Sequence, residues 1–216
     1  MRKRLAVVVA VALAAVGLGA QPARDQAFAA FWAAADVAEA SVRADDVVAT
    51  NIPFADAVAR LKAGRTYRAD VGRGIVRLNH RMGAREYPYT LDVPESYDPA
   101  RRYQVRVQLH GGVGRPDATP RGTGGIGTLA GDEQIYVLPQ AWAEAQWWSP
   151  AQDDNVAAIL DLVKRRYNVD ENRVVLSGVS DGGTGTYFVA LKDPTPWSAF
   201  FPLNGFLRVL SNPATR

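Results

Sequence analysis

Apolar and polar positions change their spacing along this chain, and the change falls near residue 72. Beyond it, "GIVRLNH" and "YPYTLDV" alternate in the manner of half-buried strands. Turn chemistry follows in "PESYDPARR", with Pro94, Asp98 and Pro99. "YQVRVQLH" is a further strand running into "GGVGRP", and a Gly/Pro/Thr-rich loop extends to about Gly131. "QIYVLP" is short and fully apolar, as a strand buried on both faces is. "DDNVAAILDLVKRRY" has helical spacing, with Val156, Ile159, Leu160 and Val163 on the buried side. Asp153 or Asp154 is expected to cap it, and Lys164, Arg165 and Arg166 suit its C-terminal dipole. "NRVVLSG", "GGTGTYFVALK" and "AFFPLNG" then read as strand, helix and strand. That order predicts an α/β fold of parallel βαβ units with right-handed crossovers. No internal repeat is visible.

Before residue 72 the spacing is helical. Phe28, Phe31, Trp32, Val37 and Val42 are spaced near helical period in an Ala-rich segment from Arg24 to Thr50, which reads as an amphipathic helix with a break expected near Asp45. Asn51 or Pro53 opens a second helix and Gly64 closes it. Residues 21–71 therefore read as a small helical extension that packs or spaces rather than binds, and 72–216 as the α/β core. Residues 1–20 stand apart. A basic "MRKR", an apolar run and the small Ala20 have the layout of a secretory signal peptide, and the run is short for a membrane span. The expectation is cleavage near Ala20, a secreted or periplasmic protein, and no stable membrane insertion afterwards.

Composition narrows the chemistry. Hydrophobic residues make up 48% and charged residues 22%, as in folded globular proteins. There is no cysteine, which excludes disulfides, thiolate metal sites and a cysteine nucleophile. The formal net charge of +3 comes from Arg2, Lys3 and Arg4; without them 22 basic residues face 22 acidic ones. A broad basic face for nucleic acid is not indicated.

The chemistry-bearing stretch is "VVLSGVSDGGTGTYF", residues 174–188. Ser180 stands between Gly178 and Gly182 at G-x-S-x-G spacing, where a buried strand turns into a helix. A turn that sharp strains the serine backbone and lifts its hydroxyl above the sheet edge, and glycines are needed where strand and helix crowd it. The backbone N–H of Asp181 is placed to face an oxyanion, helped by the positive helix end. The second signal is "QLHGG". Gly111 or Gly112 can bring a second backbone donor close, while His110 is expected to order that loop rather than act as a base.

These motifs and the strand order resemble the α/β-hydrolase superfamily. More narrowly, they resemble secreted carboxylesterases related to polyhydroxybutyrate depolymerases and feruloyl esterases, and prolyl-oligopeptidase-type catalytic domains. The resemblance covers about residue 72 to the C-terminus. It implies a mostly parallel sheet with flanking helices, Ser180 as nucleophile, and Gly111 or Gly112 with Asp181 as oxyanion donors. It also implies the chain order nucleophile, acid, histidine. The two histidines, His80 and His110, both precede Ser180, and only 36 residues follow it. The expectation is a core incomplete at its C-terminus, lacking the acid and base, and inactive on its own. His80 is a poor substitute base.

Other features weigh less. "GTGGIG", residues 122–127, matches a dinucleotide fingerprint but sits in a loop without the required strand and helix. Trp147 and Trp148, with Trp142, follow "YVLP" and are candidates for an aromatic substrate wall, or for burial under the next helix. Asp92 and Glu95 flank a proline turn and read as solvated surface. The reading reached is an exported serine hydrolase acting on a small-molecule or polymer ester, with no metal or organic cofactor. The alternatives are a serine peptidase of prolyl-oligopeptidase type and a non-catalytic binding protein on the same scaffold.

Overall fold

The alternating segments assemble into one six-stranded sheet. In the computed structural model, residues 21–116 and 134–207 are described. The strands are β1 (Gly74–Met82), β2 (Arg85–Val93), β3 (Tyr103–Leu109), β4 (Gln134–Pro139), β5 (Val169–Val179) and β6 (Ala199–Leu203). Their order in the sheet is β1-β2-β4-β3-β5-β6. The first two form an antiparallel hairpin whose turn uses Gly83 at φ 59. β2 pairs antiparallel with β4, and β4, β3, β5 and β6 run parallel.

Side-chain alternation sorts the two sheet faces. On β3, Tyr103, Val105, Val107 and Leu109 are buried in the main core, and Gln104, Arg106 and Gln108 point the other way. Two helices contribute to that core: α4 (Pro150–Arg166) through Val156, Ile159, Leu160 and Val163, and α5 (Asp181–Lys192) through Phe188 and Val189. Burying each such aliphatic side chain stabilises the fold by about 1.5–3 kcal/mol. On the opposite face the Arg106 guanidinium lies over the rings of Tyr136, at 6.0 Å, and Phe201, at 5.8 Å.

Several local expectations are corrected. α4 begins at Pro150, and its cap is Ser149, whose side chain accepts from the Gln152 N–H; Asp153 and Asp154 lie inside the helix. Asp92 is only 5% exposed, because β2 is covered along its second half and pairs on both sides. Glu95 is exposed, as expected.

Contacts divide the chain into two compact units with the boundary at Thr66/Tyr67. In the first, residues 21–33 are helical (α1), followed by α2 (Val37–Ala49) and α3 (Phe54–Ala63). The break falls at Asp36 rather than near Asp45. Asp36 accepts from the Glu39 N–H, a free helix-start donor, and the Glu39 carboxylate accepts in return from the N–H of Ala35, just before the cap. Arg60 pairs with Asp25 at 2.5 Å and covers the Phe28 ring. Gly64, at φ 75, ends α3. No helix among the described residues is long and apolar enough to cross a membrane. The candidate signal peptide, residues 1–20, and the "GTGGIG" segment lie outside the described residues.

Candidate active site

Adjacent parallel strands release their following loops at the same sheet edge. β5 pairs parallel with β3, so the turn after Val179 and the His-Gly-Gly segment after Leu109 leave side by side. β4 also runs parallel to β3, which brings the loop after Pro139 to the same edge. Three segments distant in sequence thereby meet.

Ser180 sits at that edge, exposed, with φ 56 and ψ −118. A non-glycine residue at positive φ is strained by about 1–3 kcal/mol and persists only where its surroundings hold it. Here they do. The Ser180 N–H donates to the Leu203 carbonyl at 2.9 Å, and the Thr184 N–H donates to the Ser180 carbonyl at 3.0 Å. Glycines permit the crowding. A Cβ at Gly178 would lie 2.1 Å from the Gly182 carbonyl oxygen, and one at Gly182 would lie 2.0 Å from the Leu109 carbonyl oxygen. Neither distance is possible for real atoms, so G-x-S-x-G is a steric requirement at this turn.

The His-Gly-Gly segment is against the serine. A Cβ at Gly111 would stand 3.0 Å from the Ser180 Cβ and 3.5 Å from its Oγ. Gly112 takes φ 69, which lets the loop turn there. Next to the serine in sequence, Asp181 opens α5, whose first N–H groups have no intrahelical acceptor. The structure thus brings together Ser180, Gly111, Gly112 and Asp181.

Both histidines are committed elsewhere. The Ala141 N–H donates to His110 Nε2 at 3.1 Å, so that nitrogen is an unprotonated acceptor. His110 Nδ1 then carries the proton and donates to the Gly111 carbonyl at 2.8 Å. The ring is neutral, with its lone pair occupied, and it shapes the loop as expected. His80 is fixed by a longer chain. Gln152 Nε2 donates to the carbonyls of Gln140, at 2.8 Å, and Ala145, at 3.0 Å, leaving its Oε1 to accept from Asn155 Nδ2 at 2.9 Å. Asn155 Oδ1 must therefore accept, and His80 Nδ1–H donates to it at 2.9 Å. Gln152 and Asn155 are fully buried, so these bonds are not shared with bulk water.

Trp147 belongs to the core rather than to a substrate wall. It is 1% exposed, its Nε1–H donates to the His110 carbonyl at 2.8 Å, and its ring meets the His110 ring edge-on. It has no surface to offer a ligand. Trp148 is partly buried against the same core, and Trp142 packs on Tyr87 in a separate cluster. Among the described residues, no group of three or more His, Asp or Glu side chains is disposed to hold a metal ion.

The sequence reading missed two contributors. The Asp181 carboxylate accepts from the Val113 N–H at 2.9 Å, linking helix and loop. The Gln152–Asn155 pair holds the loop after β4. The loop carbonyls that Gln152 holds lie 7 and 12 residues back and the Val113 N–H lies 68 residues back, so no local pattern announces these roles.

The strand order, the parallel centre and the serine turn after β5 define the α/β-hydrolase fold. No protein-family model matches the chain. Over 82 residues it is 35% identical to a bifunctional acetylxylan esterase/xylanase of Neocallimastix patriciarum, which is 36% of this chain and 12% of that protein. A thermostable esterase structure aligns with TM-score 0.47 and 26% identity over 61% of this chain and 40% of its own. A ferulic acid esterase aligns with TM-score 0.49 and 18% identity, covering 61% and 59%. The chain thus spans about an eighth of the curated relative and roughly half of these structures.

Proposed function

We propose that this chain carries the nucleophile and oxyanion donors of an exported serine hydrolase acting on carboxylic esters. One observation carries the reading: the strained, exposed Ser180 stands against Gly111 at the edge where α5 begins. In this reading Ser180 Oγ attacks the ester carbonyl carbon and gives up its proton to solvent water, which returns one to the leaving alcohol. The carbonyl oxygen gains negative charge and is held by backbone N–H groups of Gly111 or Gly112 and of Asp181. The carbon–oxygen bond to the alcohol then breaks, the alcohol leaves with a proton, and water releases the acid from the acyl-serine. The partial likeness to an acetylxylan esterase/xylanase supports an ester substrate. The basic, apolar start of the chain supports export.

Neither histidine is disposed as the base, so the reading assigns this chain oxyanion stabilisation without a histidine to take the serine proton. Loss of a triad member typically leaves only about 10³–10⁴-fold acceleration over water. The test is acyl transfer. The 216-residue protein is incubated with excess p-nitrophenyl acetate, and the acyl group is mapped by mass spectrometry. It is expected on Ser180, absent from Ser180→Ala, with turnover no higher than that residual level. Turnover at ordinary enzymatic rates, abolished by Ser180→Ala, would reveal a base in this chain. An unmodified Ser180 would favour the second reading, a binding scaffold, for which the commitment of both histidines already speaks.

A further inference from the structure

The proposed mechanism uses the backbone of Asp181 and leaves its side chain unexplained. That carboxylate does not merely face solvent from the first turn of α5. Its Oδ2 accepts from the Val113 N–H at 2.9 Å, across 68 residues of sequence. Val113 is itself buried in the core, so its peptide group has a defined position.

We propose that Asp181 is a positioning residue: its carboxylate fastens the His-Gly-Gly loop to the helix that carries Ser180, and so sets the distance between the two oxyanion donors. The inference rests on the functional reading above. The loop is gripped before the glycines by His110, through Ala141 and Trp147. It is gripped after them at Val113. Gly111 and Gly112 lie between these two anchors. Gly112 at φ 69 gives the bend that turns the Val113 N–H toward α5. Arg115 continues the second anchor, its carbonyl accepting from the Ala143 N–H at 2.6 Å. That contact ties the loop to the segment after β4, whereas Asp181 ties it to the serine's own helix.

The chemistry suits the task. A carboxylate at the start of a helix is favoured by the helix dipole, and an ionised acceptor makes a shorter, stronger bond than a neutral one. The donors of an oxyanion site must be held in place before charge develops. A bond between one donor's loop and the other donor's side chain does so directly.

The experiment is hydrogen exchange on the 216-residue protein, read by mass spectrometry at the Val113 amide, beside acyl transfer to Ser180. Three proteins are compared: wild type, Asp181→Asn and Asp181→Ala. Asp181→Ala is expected to speed exchange at Val113 on the order of tenfold, the worth of a hydrogen bond to a charged group. Asp181→Asn keeps an oxygen acceptor and should lose less. Exchange in β3 and β5 should not change. Acylation of Ser180 should slow in the same order, at unchanged ester concentration for half-maximal rate. An Asp181→Ala protein with wild-type exchange at Val113 overturns the proposal. So does equal loss in both variants accompanied by faster exchange throughout β3 and β5, which means general loosening. If wild-type Ser180 takes no acyl group, the catalytic reading falls, and the amide measurement still decides whether the tether exists.

Discussion

Replacing Gly182 with alanine tests the steric account of the serine turn. The added Cβ would lie 2.0 Å from the Leu109 carbonyl oxygen, 2.5 Å from its carbon and 2.9 Å from the His110 carbonyl oxygen. All three are backbone atoms at the end of β3, and none can swing aside as a side chain can. Ordinary contact needs about 1.5 Å of separation to be recovered. Either α5 lifts from β3 or the end of β3 shifts. Overpacking in a tight core typically costs about 1–3 kcal/mol, and the absence of any yielding atom puts this variant near the top of that range. For a chain of this size, about 3 kcal/mol lowers Tm by roughly 6–12 °C. The control lies in the neighbouring loop. Gly114 has no atom within 4 Å of a Cβ position, and Gly114→Ala should change stability by no more than about 0.5 kcal/mol. Thermal unfolding followed by circular dichroism measures both. Equal Tm values for the two variants would refute the claim that backbone meets backbone at this turn.

Other outcomes follow from the same geometry. Ser180→Gly should raise stability by about 1 kcal/mol, because φ 56 costs glycine nothing, while removing the acyl acceptor; urea unfolding measures it. Trp147→Phe should cost about 1–3 kcal/mol, since the part-buried His110 carbonyl loses the indole N–H; chemical denaturation reads the loss. The Asp153 carboxyl is pushed up to about 6, chiefly by burial and next by Asp193, with Lys192 opposing. Its folded value exceeds the unfolded one, so the native state holds the extra proton between about pH 4 and pH 6, and stability falls as pH rises through that window. Asp153→Asn should flatten this dependence and gain about 1 kcal/mol at pH 7, after discounting for the half-exposed position; denaturation at pH 4, 5, 6 and 7 checks it.

What could be read in advance was whatever short-range chemistry dictates. Strand alternation in "YQVRVQL" and the apolar run "QIYVLP" reflect burial that each residue meets through its own sheet face. The glycines around Ser180 reflect crowding within a few residues of chain, so the turn was visible as spacing. Asp36 with Glu39, and Ser149 before Pro150, carried readable helix-start signals, although the breaks were expected elsewhere. Asp92 misled because its burial depends on β1 and β4 flanking its strand, not on its neighbours in "TLDV". Trp147, Gln152 and the Asp181 carboxylate take their roles from partners 7 to 68 residues away. Such roles become visible only once strand order has placed three loops at one edge.

The close backbone contacts at the serine turn limit what can be transplanted. Gly183 and Gly205 also exclude each other's side chains, a Cβ on Gly205 falling 2.3 Å from the Gly183 carbonyl carbon. The turn is thus moulded by the end of β3 on one flank and the segment after β6 on the other. Splicing residues 178–185 into a foreign sheet would move the hydroxyl and leave its mould behind, so a protein engineer borrowing this turn has to borrow both flanks with it.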